Sequence, residues 1–143
     1  RAIRGGERPV VRGYVSTEAE LAGLVAQVRQ WLAEGAAPED VAVAARSPEL
    51  VRAARAALRE AGVDVKVTSL HGMKGLELTR VAVIGVADGV VPAPEALTPA
   101  EEDAAARAHD MQRERGLLYT ACTRTREVLY VSYTGRASPF LPP

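Results

Sequence analysis

The sequence predicts an α/β fold, with a mostly parallel sheet of about five strands and helices on both of its faces. Short apolar runs typical of buried strands alternate along the chain with segments of helical periodicity. The chain has 143 residues and 48% hydrophobic content, which suits one domain with its own core. Because parallel sheets bind ligands beyond the carboxyl ends of their strands, we expect the functional loops there.

The predicted elements alternate in type from the start of the chain to its end. Five apolar runs are predicted strands: residues 9–15, 41–45, 63–67, 81–86 and 128–133. Three segments are predicted helices: residues 17–34, 48–62 and 98–124. The remaining residues, 134–143, are rich in Pro and Gly and are predicted to form a tail outside the sheet.

Each predicted helix begins with a recognisable capping pattern. Thr17 with Glu20, and Thr98 with Glu101, have the spacing of capping boxes. Ser47 is the predicted N-cap of the second helix, because a proline follows it at the first helical position.

Composition excludes several classes of protein. Basic and acidic residues balance at 18 each, so no global positive field indicates a nucleic-acid binder, although a local basic lining is compatible with this balance. The single cysteine, Cys122, cannot form an internal disulfide, and no Cys and His cluster has metal-ligand spacing. No apolar run is long enough for a membrane span, and the start lacks both a methionine and a signal region. We expect a piece of a longer cytoplasmic protein.

Residues 67–92 interrupt the apolar pattern with polar and flexible chemistry, in "VTSLHGMKGLELTRVAVIGVADGVVP". His71 and Lys74 offer donors, Gly75 allows a close approach of the backbone, and Glu77 can accept from a sugar hydroxyl. This loop follows a predicted strand, as a ligand-binding loop of an α/β protein does. A flexible connection with solvated charges is the alternative.

Two arginines are further candidates for ligand binding. Arg46 follows the predicted strand 41–45, and Arg124 ends the last predicted helix. We expect Arg46, Glu77 and Arg124 to lie along one edge of the sheet. The alternatives are an Arg46 that is solvated or paired with Glu49, and an Arg124 that only complements the helix dipole.

Three stretches resemble motifs of one family, the superfamily 1 DNA helicases of the UvrD/Rep/PcrA type. "SLHGMKGLEL" resembles their motif V, T-x-H-x-x-K-G-L-E-F, and "ERGLLYTACTRTREVLYV" resembles motif VI, E-R-R-L-x-Y-V-A-x-T-R-A. "VAVAARS" resembles motif IV, and "ADGVVP" resembles the turn that follows motif V. The motifs occur in the family's order and cover most of residues 41–133.

The resemblance implies that residues 1–143 are the C-terminal RecA-like motor domain of such a helicase, with a three-layer αβα fold. These enzymes bind ATP and Mg²⁺ between two motor domains and single-stranded DNA across both. The chain has no G-x-x-x-x-G-K-[ST] sequence, so the N-terminal RecA-like domain of the full-length chain would supply the phosphate loop and most of the Mg²⁺ site. We expect the chain alone to be inactive, and to bind ATP and DNA weakly.

The resemblance also assigns roles to residues near the nucleotide. Arg46 and Arg124 match motif IV and motif VI arginines that act as arginine fingers on the γ-phosphate. Glu77 matches the glutamate that accepts from the ribose, and Gly75 lies beside it in the motif.

Three further positions match residues that face the DNA in this family. Ser69, His71 and Lys74 are those positions, and we expect contacts with phosphates that position the strand without reading its sequence. For Lys74, pairing with an acidic neighbour is the alternative.

The chain departs from the family pattern at several points. Only residues 47–66 separate motifs IV and V, so the accessory subdomain that many members insert there is absent. Gly116 replaces an arginine of motif VI, Leu78 replaces a phenylalanine, and Ser69 replaces a threonine. The "KGLE" form favours the branch that moves 3′ to 5′.

Two other interpretations fit these residues less well than a motor domain does. A degenerate RecA-like module that acts as a protein scaffold in DNA repair would have little need of both arginines together with Glu77. A flavodoxin-like nucleotide-binding domain would need a phosphate loop near the first strand, where "GYVSTEAE" lacks the glycines for one.

Overall fold

The computed structural model describes residues 8–143, which form one sheet of five parallel strands with helices on both faces. The strands are β1 (Val10–Tyr14), β2 (Val41–Ala45), β3 (Lys66–Ser69), β4 (Leu78–Ile84) and β5 (Thr125–Thr134), in the spatial order β1-β5-β4-β2-β3. The helices are α1 (Thr17–Ala33), α2 (Pro48–Glu60) and α3 (Ala104–Cys122). The predicted fold class is confirmed.

The sheet separates two apolar cores, and β2 contributes to both. All five residues of β2 are buried. Val41, Val43 and Ala45 pack with α1 and α2, whereas Ala42 and Ala44 pack with α3. This alternation follows from the two-residue period of a strand, and burial on both faces explains why β2 is a continuous apolar run.

Strand β3 begins later than the sequence predicts. The apolar pattern predicts residues 63–67, but the structure places the strand at Lys66–Ser69. The amide of Val63 donates to the carbonyl of Leu58 at 2.9 Å, so this residue completes the turn that ends α2. Pairing with β2 starts only where Lys66 lies opposite Ala42.

The predicted capping box at the start of α1 is wrong. The side chain of Ser16, not Thr17, accepts from the amide of Ala19 at 3.0 Å. Glu20 is buried, and its carboxylate accepts from the Gly85 amide at 2.8 Å and from the Thr134 hydroxyl at 2.7 Å. The spacing of a capping box therefore coincides here with a buried carboxylate that joins α1 to the sheet.

The predicted box of Thr98 and Glu101 is also wrong. Helix α3 begins at Ala104, after Asp103, whose carboxylate accepts from the Ala106 amide at 3.0 Å. Thr98 instead donates from its amide and its hydroxyl to Asp110, each at 2.7 Å. The N-cap prediction for α2 is confirmed, because the Ser47 hydroxyl accepts from the Leu50 amide at 3.2 Å.

The two ends of the parallel sheet form distinct edges. We call the end where the strands finish the carboxyl edge, and the end where they start the amino edge. A helix that connects parallel strands runs against their direction, so α3 begins nearer the carboxyl edge and ends at the amino edge. The segment after β5 packs on the α3 side through Phe140 and Leu141, and the Ser138 amide donates to the carbonyl of Val86 at 2.9 Å. Within residues 8–143, no helix combines the length and apolar character needed to cross a membrane.

Candidate functional site

The candidate residues lie at both edges of the sheet, and the expectation of one shared edge is wrong. Arg46 follows β2 at the carboxyl edge. Glu77 immediately precedes β4 and Arg124 immediately precedes β5, both at the amino edge. The Leu78 amide donates to the carbonyl of Arg124 at 2.8 Å, which joins the starts of these two strands.

The physical reason is the path of the chain between β3 and β4. Residues 70–77 leave the carboxyl edge after Ser69 and reach the amino edge before Leu78, through a short 3-10 turn at His71–Met73. The motif therefore contributes residues to both edges. The carboxyl end of α3 likewise belongs to the amino edge, because this helix runs against the strands.

Arg46 and Arg124 are held by different parts of α3. The Arg46 guanidinium binds Glu114, whereas Nε of Arg124 donates to the carbonyl of Thr120 at 3.2 Å. Glu114 and Thr120 are six residues apart, which corresponds to about 9 Å along a helix. The side chain of Glu114 also leans toward the start of α3, while helical carbonyls point toward its end. As oriented here, these two arginines do not converge on a single phosphate.

The Arg46 and Glu114 pair is the most enclosed charged pair at the carboxyl edge. Nε of Arg46 donates to Oε1 at 3.1 Å, and Nη2 donates to Oε2 at 3.0 Å. The amide of Ala93 also donates to Oε1, at 2.8 Å. Glu114 is only 4% exposed. Burial raises the pKa of this carboxyl, but the hydrogen bonds from Arg46 and Ala93 outweigh it, and the pKa lies below its ordinary value.

Ser69 and His71 lie near this pair, around the 3-10 turn. The hydroxyl of Ser69 accepts from the Gly72 amide at 3.1 Å, which leaves its own hydrogen available to donate. The His71 side chain is exposed, and it lines the same groove as Glu114. A Cβ at Gly72 would collide with Oγ1 of Thr68, so a glycine lets the turn fold this tightly against the Thr68 side chain of β3.

The amino edge presents a second polar group. Gly75 has φ of +81°, a conformation that favours glycine, and it directs the chain into β4. Glu77 is exposed beside it. Arg124 is half-buried and fixed through Nε alone, so its two terminal nitrogens make no hydrogen bond with residues 8–143. An acceptor for hydroxyl groups and a fixed guanidinium therefore stand at the starts of neighbouring strands.

Sequence reasoning missed Glu114. Its position four residues before Leu118 and seven before Ala121 places it on the buried stripe of α3. A carboxylate on an apolar stripe indicates buried donors, which include a cation for Glu114 but only an amide and hydroxyls for Glu20, so the spacing alone does not identify Arg46. Among residues 8–143, no group of three or more His, Cys, Asp and Glu side chains is arranged to hold a metal ion.

Comparisons with known proteins agree with this architecture. The family model described as UvrD-like helicase C-terminal domain matches residues 63–136, just over half of the chain. The ATP-dependent DNA helicase PcrA of Staphylococcus aureus is 36% identical over 69 residues, 48% of this chain and 9% of that protein. The ATP-dependent DNA helicase UvrD2 of Mycobacterium tuberculosis is 36% identical over 91 residues, 64% of this chain and 12% of that protein.

A solved structure shares the fold. The C-terminal domain of a possible DNA helicase from Lactobacillus plantarum WCFS1 superposes with a TM-score of 0.68 and 24% identity, over 94% of this chain and 79% of that one. The five-strand parallel sheet with helices on both faces is an α/β fold that matches this helicase C-terminal domain. The chain belongs to the UvrD-like helicase C-terminal domain family.

Proposed function

We propose that this chain is the second motor domain of an ATP-dependent DNA helicase that moves 3′ to 5′, and that its two sheet edges have separate tasks. The amino edge faces ATP and the carboxyl edge faces single-stranded DNA. The observation that carries the proposal is the division of motif V between the edges, with Ser69 and His71 at one and Gly75 and Glu77 at the other. Separate edges would let one domain bind the nucleotide and the DNA at the same time.

The residues of the amino edge fit a nucleoside triphosphate. Glu77 would accept from the ribose hydroxyls, and the open backbone at Gly75 would lie against the phosphates. The free terminal nitrogens of Arg124 would stabilise negative charge on the γ-phosphate, and such a finger contributes ~10³–10⁵ in rate in other phosphoryl-transfer enzymes. ATP supplies the phosphoryl group and, with Mg²⁺, binds mainly to the N-terminal RecA-like domain of the full-length chain.

The residues of the carboxyl edge fit the sugar-phosphate backbone of single-stranded DNA. The hydroxyl of Ser69, the imidazole of His71 and the ammonium of Lys74 are donors grouped on one turn. Nη1 of Arg46 lies outside its pair with Glu114 and remains available as a donor. We therefore assign Arg46 to the DNA edge, and Arg124 alone to the γ-phosphate.

The experiment that tests the nucleotide role uses the full-length protein that contains this domain. ATP turnover at saturating single-stranded DNA is measured for wild type, Arg124→Ala and Arg124→Lys. We expect both variants to lose at least about a hundredfold in maximal turnover, because lysine keeps the charge without the planar fork. Arg126→Ala, an exposed arginine two residues further on, is the matched control. Near-normal turnover in Arg124→Ala would show that this arginine only ends a helix.

A further inference from the structure

A groove separates the turn after β3 from the second half of α3. It has a volume of about 340 Å³, within the range of sites that hold small ligands. One wall is the turn, with Leu70, His71 and Lys74. The other wall is a single face of α3, formed by residues three and four positions apart: Arg113, Gly116, Leu117 and Thr120.

Gly116 keeps the helical wall of this groove open. A glycine inside a helix destabilises it relative to alanine. Packing does not explain this glycine, because a Cβ at position 116 would meet no atom within 4 Å. Gly116 lines the groove, so a larger side chain at this position would occupy part of its volume.

The chemistry of the groove suits an anionic ligand with a planar apolar part. Leu70 and Leu117 supply an apolar floor. Lys74 is an exposed cation on the rim. Arg113 is also exposed, and its Nη1 donates to Oδ1 of Asp110 at 3.1 Å. Glu114 also borders the groove, but both of its oxygens accept hydrogen bonds from Arg46, so its charge is compensated.

We propose that this groove binds one nucleotide unit of the single-stranded DNA, with the phosphate near Lys74 and Arg113 and the base over Leu117 and the open helix at Gly116. The proposal rests on the proposed function, since the groove adjoins the DNA edge at His71. It adds a pocket for a base to an edge that otherwise contacts only phosphates.

The test is the binding of fluorescein-labelled (dT)₂₀ to the full-length protein, followed by fluorescence anisotropy without nucleotide. The variants are Gly116→Leu, which fills the groove, and Gly116→Ala, which adds one methyl group. Both residues favour helix more than glycine does, so a loss of binding cannot be ascribed to loss of α3. Ala105→Leu adds the same side chain at an exposed site of α3 about eleven residues, or about 16 Å, away.

We expect Gly116→Leu to weaken binding roughly tenfold, Gly116→Ala to weaken it less, and Ala105→Leu to leave it unchanged. His71→Ala tests the DNA edge separately from the groove. Normal binding in Gly116→Leu together with weakened binding in His71→Ala would overturn the groove and leave the DNA edge in place. Normal binding in both would overturn the groove and the DNA edge together.

Discussion

The guanidinium of Arg46, at the end of β2, forms two parallel hydrogen bonds with the carboxylate of Glu114, in the middle of α3, at 3.1 and 3.0 Å. The pair joins two elements that are 68 residues apart in sequence. Because Ala93 donates to the same carboxylate, the loop after β4 is fixed by it as well. The pair therefore sets the shape of the carboxyl edge.

Removal of one partner should destabilise the domain strongly. Glu114→Ala leaves Arg46 with a charge that is 16% exposed and without its carboxylate, and breaking a buried pair in this way costs about 3–5 kcal/mol. Urea unfolding followed by circular dichroism measures the loss. Glu49→Ala removes an exposed glutamate 3.8 Å from Arg52 and should change stability little. Equal stabilities of the two variants would contradict a structural role for Glu114.

The same carboxylate should make stability depend on acid pH. The pKa of folded Glu114 lies below its ordinary value of 4.5, because the hydrogen bonds from Arg46 and Ala93 favour the charged form despite burial. Its stabilising contribution is then complete above pH 4.5 and disappears as the pH falls through the folded pKa.

The measurement is the free energy of unfolding of wild type and Glu114→Gln between pH 7 and pH 3. Asp110 also has a lowered pKa, through its bonds from Thr98, and it contributes equally to both proteins. We expect the two curves to converge as the pH falls. Parallel curves would mean that Glu114 ionises alike in the folded and unfolded chains.

The turn at Gly72 should tolerate no side chain while Thr68 retains its hydroxyl. A Cβ at position 72 would overlap Oγ1 of Thr68. Overpacking of this kind costs about 1–3 kcal/mol, so Gly72→Ala should lower the unfolding temperature, and Thr68→Ala should recover most of the loss when the two are combined. If the double variant is no more stable than Gly72→Ala, this contact is not the reason for the glycine.

The sequence was sufficient for the fold, since apolar runs and helical periods located all five strands and three helices. Both capping-box predictions are wrong because the Thr-x-x-Glu spacing does not show where a helix begins. It also does not show whether the glutamate is buried, as Glu20 is. Arg124 lies at the amino edge because α3 runs against the strands, and the apolar periodicity that predicts each element does not show at which edge it ends. Glu114 could not be assigned without knowing which face of α3 meets β2.

The central claim, that the two edges have separate tasks, is tested most directly by ATP turnover of the full-length protein against the concentration of single-stranded DNA. The compared proteins are wild type, Arg46→Lys, His71→Ala and Arg124→Lys. In Arg46→Lys the new lysine retains a positive charge beside Glu114. We expect Arg46→Lys and His71→Ala to raise the half-saturating DNA concentration, by roughly tenfold for His71→Ala, with maximal turnover within about twofold of wild type. Arg124→Lys should lower maximal turnover and leave the half-saturating concentration unchanged. Loss of maximal turnover in Arg46→Lys, comparable to that in Arg124→Lys, would contradict the separation of the two edges.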